Sequence, residues 1–212
     1  MSQIRWRGGG LLFPFISLVK SIGLCGRESW SLRVIAGKNR GHKLAELSGG
    51  TIRPTADRVR EAVFSMLYPY LSADTTVLDL FGGTGALAIE ALSRGARMAH
   101  IVDQSASSCS VIETNLKATK NNSAAILFHQ DAISFLMQAK EQYSLIFLDP
   151  PYAKGLIGQA LPIISRRGLL APEGVIMAEC GYEESFPKTD GLRILKQKKY
   201  GRTVVALYTH AV

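Results

Sequence analysis

The sequence predicts an α/β protein, an open and mostly parallel sheet of seven strands with helices on both faces. Three observations carry that expectation. From Thr76 onward, five short apolar runs are separated by four segments of helical periodicity, the alternation that places a parallel sheet between helices. The chain then closes on two strand-like runs, Leu192 to Lys198 and Thr203 to Tyr208. The turn at Tyr200-Gly201 leaves no room for a crossover helix, so this pair must be antiparallel. With 212 residues, 47% of them hydrophobic and 20% charged, the chain can bury one full core and carry some decoration.

The elements follow in order. Leu32 to Ala36 and Lys43 to Leu47 flank the turn-like Gly37-Lys38-Asn39-Arg40-Gly41 and predict a small basic β-hairpin. Arg53-Pro54-Thr55 leads into a helix expected from about Asp57 to Leu71, capped by Asp57, with Val59, Val63, Met66, Leu67 and Tyr70 as its apolar stripe. Thr76 to Leu80 reads as the first strand of the alternation, and Ala86 to Arg94 as a helix stopped by Gly95. Met98 to Val102 is a strand ending at Asp103, and Ser105 to Lys120 a helix. Ala124 to Phe128, Tyr143 to Leu148 and Val175 to Glu179 are the remaining parallel strands, with helices expected at Ala132 to Lys140 and Leu156 to Leu170. Internal repeats and low-complexity tracts are absent from the sequence.

Charge is unevenly spread. The formal net charge is +8, and residues 61–212 contribute none of it, with fourteen basic and fourteen acidic side chains. Residues 32–60 hold Arg33, Lys38, Arg40, Lys43, Arg53, Arg58 and Arg60 against Glu46 and Asp57. Such confinement predicts a docking surface for a polyanion. Cys25, Cys109 and Cys180 are too few and too scattered for a disulfide framework or a zinc site, and are expected to pack in a reducing cytosol. The four histidines, His42, His100, His129 and His210, read as surface or strand residues. Residues 1–31 contain an apolar stretch from Leu11 to Leu24 broken by Pro14 and Lys20, too short to span a bilayer and without a small-residue cleavage pattern after it. They are expected to be a disordered extension or the product of an upstream start codon, outside the fold.

Two motifs carry chemistry. Asp149-Pro150-Pro151-Tyr152 follows the apolar run Leu145 to Leu148. Proline donates no backbone hydrogen bond and biases the preceding residue to an extended conformation, so the chain leaves the sheet abruptly. The Asp149 carboxylate and the Pro150 carbonyl can then project together with the Tyr152 ring beside them. Two acceptors and an aromatic face suit a planar ring bearing an amine. The second motif is Asp79-Leu80-Phe81-Gly82-Gly83-Thr84-Gly85, between a strand and a helix, where ligands of open α/β sheets bind. Gly83-x-Gly85-x-x-Ala88 with Asp103 also fits a dinucleotide fingerprint. Acidic residues decide between the two ligands: Asp79, Asp103, Asp131 and Asp149 fall at four successive strand ends. So many carboxylates would repel a pyrophosphate, whereas a cationic, phosphate-free nucleoside is accommodated. S-adenosylmethionine fits, with Asp79 near its ammonium, Asp103 on the ribose hydroxyls and Asp131 near the adenine amine.

From Leu32 to Tyr208 the chain resembles the bacterial small-subunit ribosomal RNA guanine-N2 methyltransferases, which modify one guanine of 16S rRNA. The resemblance is carried by Arg33-Val-Ile-Ala-Gly37 with Arg40-Gly41, by Arg53-Pro-Thr55 with Asp57-Arg-Val-Arg-Glu61, and by Asp79 to Gly85. It continues through Glu90-Ala-Leu-Ser-Arg-Gly95, Asp149 to Tyr152 and Tyr200-Gly201. It implies a Rossmann-like class I methyltransferase fold over residues 73–212, preceded by an RNA-binding hairpin and helix over 32–72. The expected catalytic residues are Asp149, Pro150 and Tyr152. The S-adenosylmethionine site is expected at Asp79, Phe81, Gly83, Gly85, Asp103, Asp131 and Ala132. RNA contacts are expected from Arg33, Lys38, Arg40, Lys43, Arg53, Arg58 and Arg60. The resemblance further implies a cytoplasmic, monomeric enzyme that needs no metal and acts on 16S rRNA, free or within an assembling small subunit. An adenine-N6 methyltransferase acting on DNA or RNA would present a similar amine to the same motif. A nicotinamide-dependent oxidoreductase would explain the glycine loop but not Asp149 to Tyr152, and a non-catalytic RNA-binding protein would leave the acidic strand ends without a role.

Overall fold

Seven strands form one sheet in the order β3-β2-β1-β4-β5-β7-β6. In chain order they are β1 (Thr76–Asp79), β2 (Met98–Asp103), β3 (Ala125–His129), β4 (Tyr143–Leu148), β5 (Leu170–Gly181), β6 (Leu192–Tyr200) and β7 (Thr203–His210). The first five are parallel and the last two antiparallel, as the sequence predicts. The computed structural model describes residues 31–47, 54–152 and 154–211. The expectations for residues 1–30, and the RNA contact expected of Arg53, lie outside these. Among the described residues no helix is long and apolar enough to cross a membrane.

Among the described residues five α-helices accompany the sheet: α1 (Pro54–Leu67), α2 (Ala86–Ser93), α3 (Ala106–Ala118), α4 (Ala132–Gln138) and α5 (Leu156–Arg166). The order of connection reverses between β1 and β4, and the crevice at such a reversal, outside the carboxyl ends of the strands, is where open α/β sheets bind ligands. The central strands are apolar on both sides because both sheet faces are covered; Val77, Leu78, Ile146 and Phe147 are fully buried.

Helix α1 departs from the sequence expectation. It begins at Pro54 rather than Asp57, using a residue whose missing N–H costs nothing in a first turn. Asp57 therefore lies inside the helix, where its carboxylate meets Arg60 at 2.9 Å and Arg33 at 3.5 Å. Helix α5 stops at Arg166, and β5 starts early at Leu170 and runs for twelve residues.

The N-terminal hairpin has a single bridge, Arg33 with Lys43, supplemented by backbone hydrogen bonds from Val34 to His42 and from Leu44 to Leu32. Too short to be stable alone, it is fastened to α2 and α3. The buried Glu90 accepts the N–H groups of Ile35 and Ala36 at 2.7 and 3.0 Å, and Arg94 donates to the same carboxylate at 2.7 Å. Gly37 passes so close to α2 that a Cβ there would overlap the Ser93 carbonyl, which receives the Lys38 N–H at 2.8 Å. Asn115 of α3 closes the other side, accepting from Ala45 N–H at 2.6 Å and donating to Ala45 O at 3.0 Å. Leu32, Val34 and Leu44 join Val59, Val63 and Phe64 of α1 and Val77, Phe147 and Met177 of the sheet in one buried cluster. At about 1.5–3 kcal/mol for each fully buried large apolar side chain, this seam holds the extension rigidly over the sheet.

Candidate active site

A cavity of about 710 Å³ opens at the carboxyl end of β4 and β5 and is roofed by the N-terminal extension. Phe81 and Gly83 of the glycine loop line one part, and Asp149, Tyr152, Glu179 and Thr203 another, beneath Leu32, Val59 and Arg60.

The glycine loop takes its shape from backbone demands. Gly83 and Gly85 have φ of +57° and +76°, where a side chain would be strained. A Cβ on Gly82 would meet the Ile101 side chain at 2.6 Å. Asp103, at the end of β2, braces this loop: one carboxylate oxygen accepts the Gly83 N–H at 2.8 Å and the other the Ser105 N–H at 2.8 Å. Asp79 is buried at the end of β1, accepts the Ala88 N–H at 3.2 Å, and leaves Oδ1 without a partner among the described residues. Burial pushes its carboxyl up from 3.8 to about 7, against the help of backbone donors.

Because Leu148 of β4 pairs with Ala178 of β5, the next residues, Asp149 and Glu179, emerge side by side. Adjacent strands lie about 4.8 Å apart, so the two carboxylates share one small volume. Desolvation raises both above the usual carboxylate range, and for Asp149 repulsion from Glu179 and Asp79 adds to it. The Pro150-Pro151 turn delivers Tyr152 over this pair, where its hydroxyl donates to Glu179 Oε1 at 3.0 Å with Thr203 Oγ1 at 3.4 Å. Burial holds the phenol up at about 12, so it stays a hydrogen-bond donor at neutral pH. Its ring is half exposed and faces the cavity.

The structure thus brings Phe81, Gly83, Asp149 and Tyr152 around one cavity, with Asp79 and Gly85 directly behind the loop. Pro150 is buried in the turn and lines a smaller cavity, of about 140 Å³, beside it. Asp103, Asp131 and Ala132 lie outside the lining of the large cavity. Asp131 is exposed and caps α4, accepting the Ser134 N–H at 2.8 Å, while Ala132 is buried at the first position of that helix. Among the described residues no group of three acidic, histidine or cysteine side chains is arranged to hold a metal.

Arg33, Lys38, Arg40, Lys43 and Arg58 are exposed on the extension, and Arg33, Arg40 and Arg58 line a groove of about 400 Å³ between hairpin and α1. Arg60 is the correction. It is buried, donates to Asp57 at 2.9 Å and to the Arg33 carbonyl at 2.7 Å, and so ties α1 to the hairpin instead of presenting a free cation. Sequence reasoning missed Glu179, although it is the last residue of the strand expected at Val175 to Glu179; carrying the series of acidic strand ends one strand further would have found it, even though β5 continues to Gly181. Arg202 and Thr203, which come to the cavity only through the antiparallel return of β7, had no signal in the local sequence.

The family model described as Conserved hypothetical protein 95 matches residues 32–209. The chain belongs to this family. Among curated relatives, YlbH of Bacillus subtilis (strain 168) is 36% identical over 181 residues, 84% of this chain and 98% of the relative. Ribosomal RNA small subunit methyltransferase D of Escherichia coli (strain K12) is 34% identical over 181 residues, 85% of this chain and 90% of the relative. The solved structure of yhhF from Escherichia coli superposes with a TM-score of 0.77 at 32% identity, covering 85% of this chain and 98% of that one. The seven-stranded sheet with its antiparallel end is the class I methyltransferase fold of these relatives.

Proposed function

We propose that this protein transfers a methyl group from S-adenosylmethionine to the exocyclic N2 of a guanine in 16S ribosomal RNA, acting as a cytoplasmic monomer on free RNA or an assembling small subunit. The observation that carries the reading is the junction in one cavity of a glycine loop with a buried acid and a strand end bearing Asp149 and Tyr152. The relatives named as ribosomal RNA methyltransferases support it.

The residues present fit S-adenosylmethionine. Asp79 is a buried carboxylate with one oxygen unpartnered among the described residues, a state relieved by a cation and worsened by a phosphate. Gly83 and Gly85 keep side chains out of the loop, and Asp103, though it braces Gly83, stays partly exposed for a ribose hydroxyl. When bound, S-adenosylmethionine supplies a methyl carbon made electrophilic by its sulfonium. Asp149 accepts a hydrogen of the target amine and turns its lone pair out of the ring plane. With Glu179 beside it, Asp149 is a stronger base than an ordinary aspartate and takes the proton that the amine loses. Tyr152 stacks on the base, which has to be unpaired or extruded to arrive there. Preorganised positioning and electrostatics supply most of the acceleration. The test is methylation of purified small-subunit RNA, with and without ribosomal proteins, followed by mapping of the modified atom. A methyl group on an adenine would favour the N6 alternative, and no transfer to either substrate would overturn the reading.

A further inference from the structure

In the transfer described above Glu179 acts only through its charge on Asp149 and touches no part of the substrate, yet it stands in the same cavity with its carboxylate fixed in place. Its Oε1 receives the Tyr152 hydroxyl at 3.0 Å, which fixes the carboxylate and leaves Oε2 for another donor. Still within β5, it stands one position past the Leu148–Ala178 pair as Asp149 does, so two acceptors project side by side from neighbouring positions of the sheet into one cavity. The Watson–Crick edge of guanine carries two adjacent donors, N1–H and the N2 amine. Adenine carries its N6 amine beside N1, a lone pair, which a carboxylate repels.

We propose that Glu179 accepts the N1–H of the target guanine while Asp149 holds the adjacent N2 amine, so that the pair selects guanine over bases whose amine lies next to a ring lone pair. This rests on the methyl-transfer reading above and deepens it. Glu179 is then a specificity residue that touches the base and holds Tyr152 in its stacking position with its other oxygen. A site built to receive a substrate N–H rejects an analogue lacking it far more strongly than a shape-fitted pocket would.

The test uses 2-aminopurine at the target position of the RNA. This base keeps the N2 amine but has a lone pair at N1. The wild-type protein should prefer guanine by about 10³-fold or more in kcat/KM. Glu179→Gln keeps the volume and an oxygen for Tyr152 but turns a donor toward N1. It should lower turnover on guanine, raise it on 2-aminopurine and bring the ratio close to one, with affinity for S-adenosylhomocysteine unchanged. An unaltered ratio in a folded variant would reduce Glu179 to a support for Tyr152 and overturn the proposal. Equal use of both bases by the wild type would overturn it without any variant. Failure of the wild type to methylate guanine-containing RNA at N2 would instead remove the functional reading beneath it.

Discussion

Replacing Asp79 with Asn removes a charge that the folded chain holds at a cost. The carboxyl is fully buried, has one oxygen without a partner among the described residues, and is raised from 3.8 to about 7 chiefly by desolvation. Its folded pKa lies above its unfolded one, so the fold favours the protonated form. The favourable contribution is complete at low pH and is lost as pH rises from about 4 through about 7. Three units at 1.36 kcal/mol each make the ionised group about 4 kcal/mol costlier in the folded protein than in the unfolded chain. Between pH 5 and 8, urea denaturation should therefore lose about 2–3 kcal/mol more for the wild type than for Asp79→Asn. Asp149 and Glu179, also raised by burial, give slopes of the same sign in both proteins, and the relief of Asp149 from the Asp79 charge in the variant widens the difference in the same direction. Binding reverses the balance: a cationic ligand recovers the cost of ionisation. Affinity of the wild type for S-adenosylhomocysteine should weaken about tenfold per pH unit below 7, with uptake of the ligand releasing a proton. In Asp79→Asn the affinity should fall about 10²-fold at pH 8 and lose its pH slope. Calorimetric titrations in buffers of different ionisation enthalpy measure both quantities. Parallel stability profiles for the two proteins, or a wild-type affinity flat from pH 5.5 to 8, would refute the reasoning.

Three further outcomes are expected. Asp149→Ala removes an acceptor from the target amine but leaves the glycine loop intact, so single-turnover methylation should slow by about 10²-fold or more while S-adenosylhomocysteine affinity, read by calorimetry, changes little. Glu90→Ala strands the Ile35 and Ala36 N–H groups and frees Arg94, so thermal or urea unfolding should register a loss of about 3 kcal/mol. RNA affinity should suffer more than cofactor affinity in that variant, because the hairpin loses its anchor. Reversing the exposed Lys38 and Arg40 to Glu should weaken RNA binding and flatten its salt dependence by a slope of about 1.4 for two lost phosphate contacts, measured over a salt series, with the melting temperature near wild type.

The sheet was legible because its signals are local. Each buried parallel strand is a continuous apolar run, and the lack of space between Lys198 and Thr203 determines how the sheet ends. The glycine loop and the Asp149 turn were legible for the same reason, since backbone restriction is written in glycine and proline. What stayed hidden depends on partners distant in sequence. The Glu90-to-Gly95 stretch reads as an ordinary helix end, but in the fold Glu90 and Ser93 receive a hairpin more than fifty residues earlier. Arg60 counts as a basic residue in any charge tally, and only its packing against Asp57 and the Arg33 carbonyl withdraws it from the surface. Asp57 misleads similarly: an acid near a helix start suits a cap, and Pro54 moves the start behind it.

Charge in the folded molecule is sorted by depth. Asp149 and Glu179 line the cavity and Asp79 is buried behind its glycine loop, while Arg33, Lys38, Arg40, Lys43 and Arg58 are exposed on the extension that roofs it. An RNA strand approaching this surface meets attraction at the rim, where its phosphates can be held, and repulsion at the floor, where they would face buried carboxylates in a medium of low dielectric. Only the part of a nucleotide that carries donors and no negative charge gains by entering, which is the edge of an unpaired base bearing an amine. The same floor favours a cationic nucleoside over an anionic one. Under the proposed function, one arrangement of carboxylates would select the methyl donor by its charge and the acceptor by its hydrogens, with the buried seam between extension and sheet holding the basic rim above it.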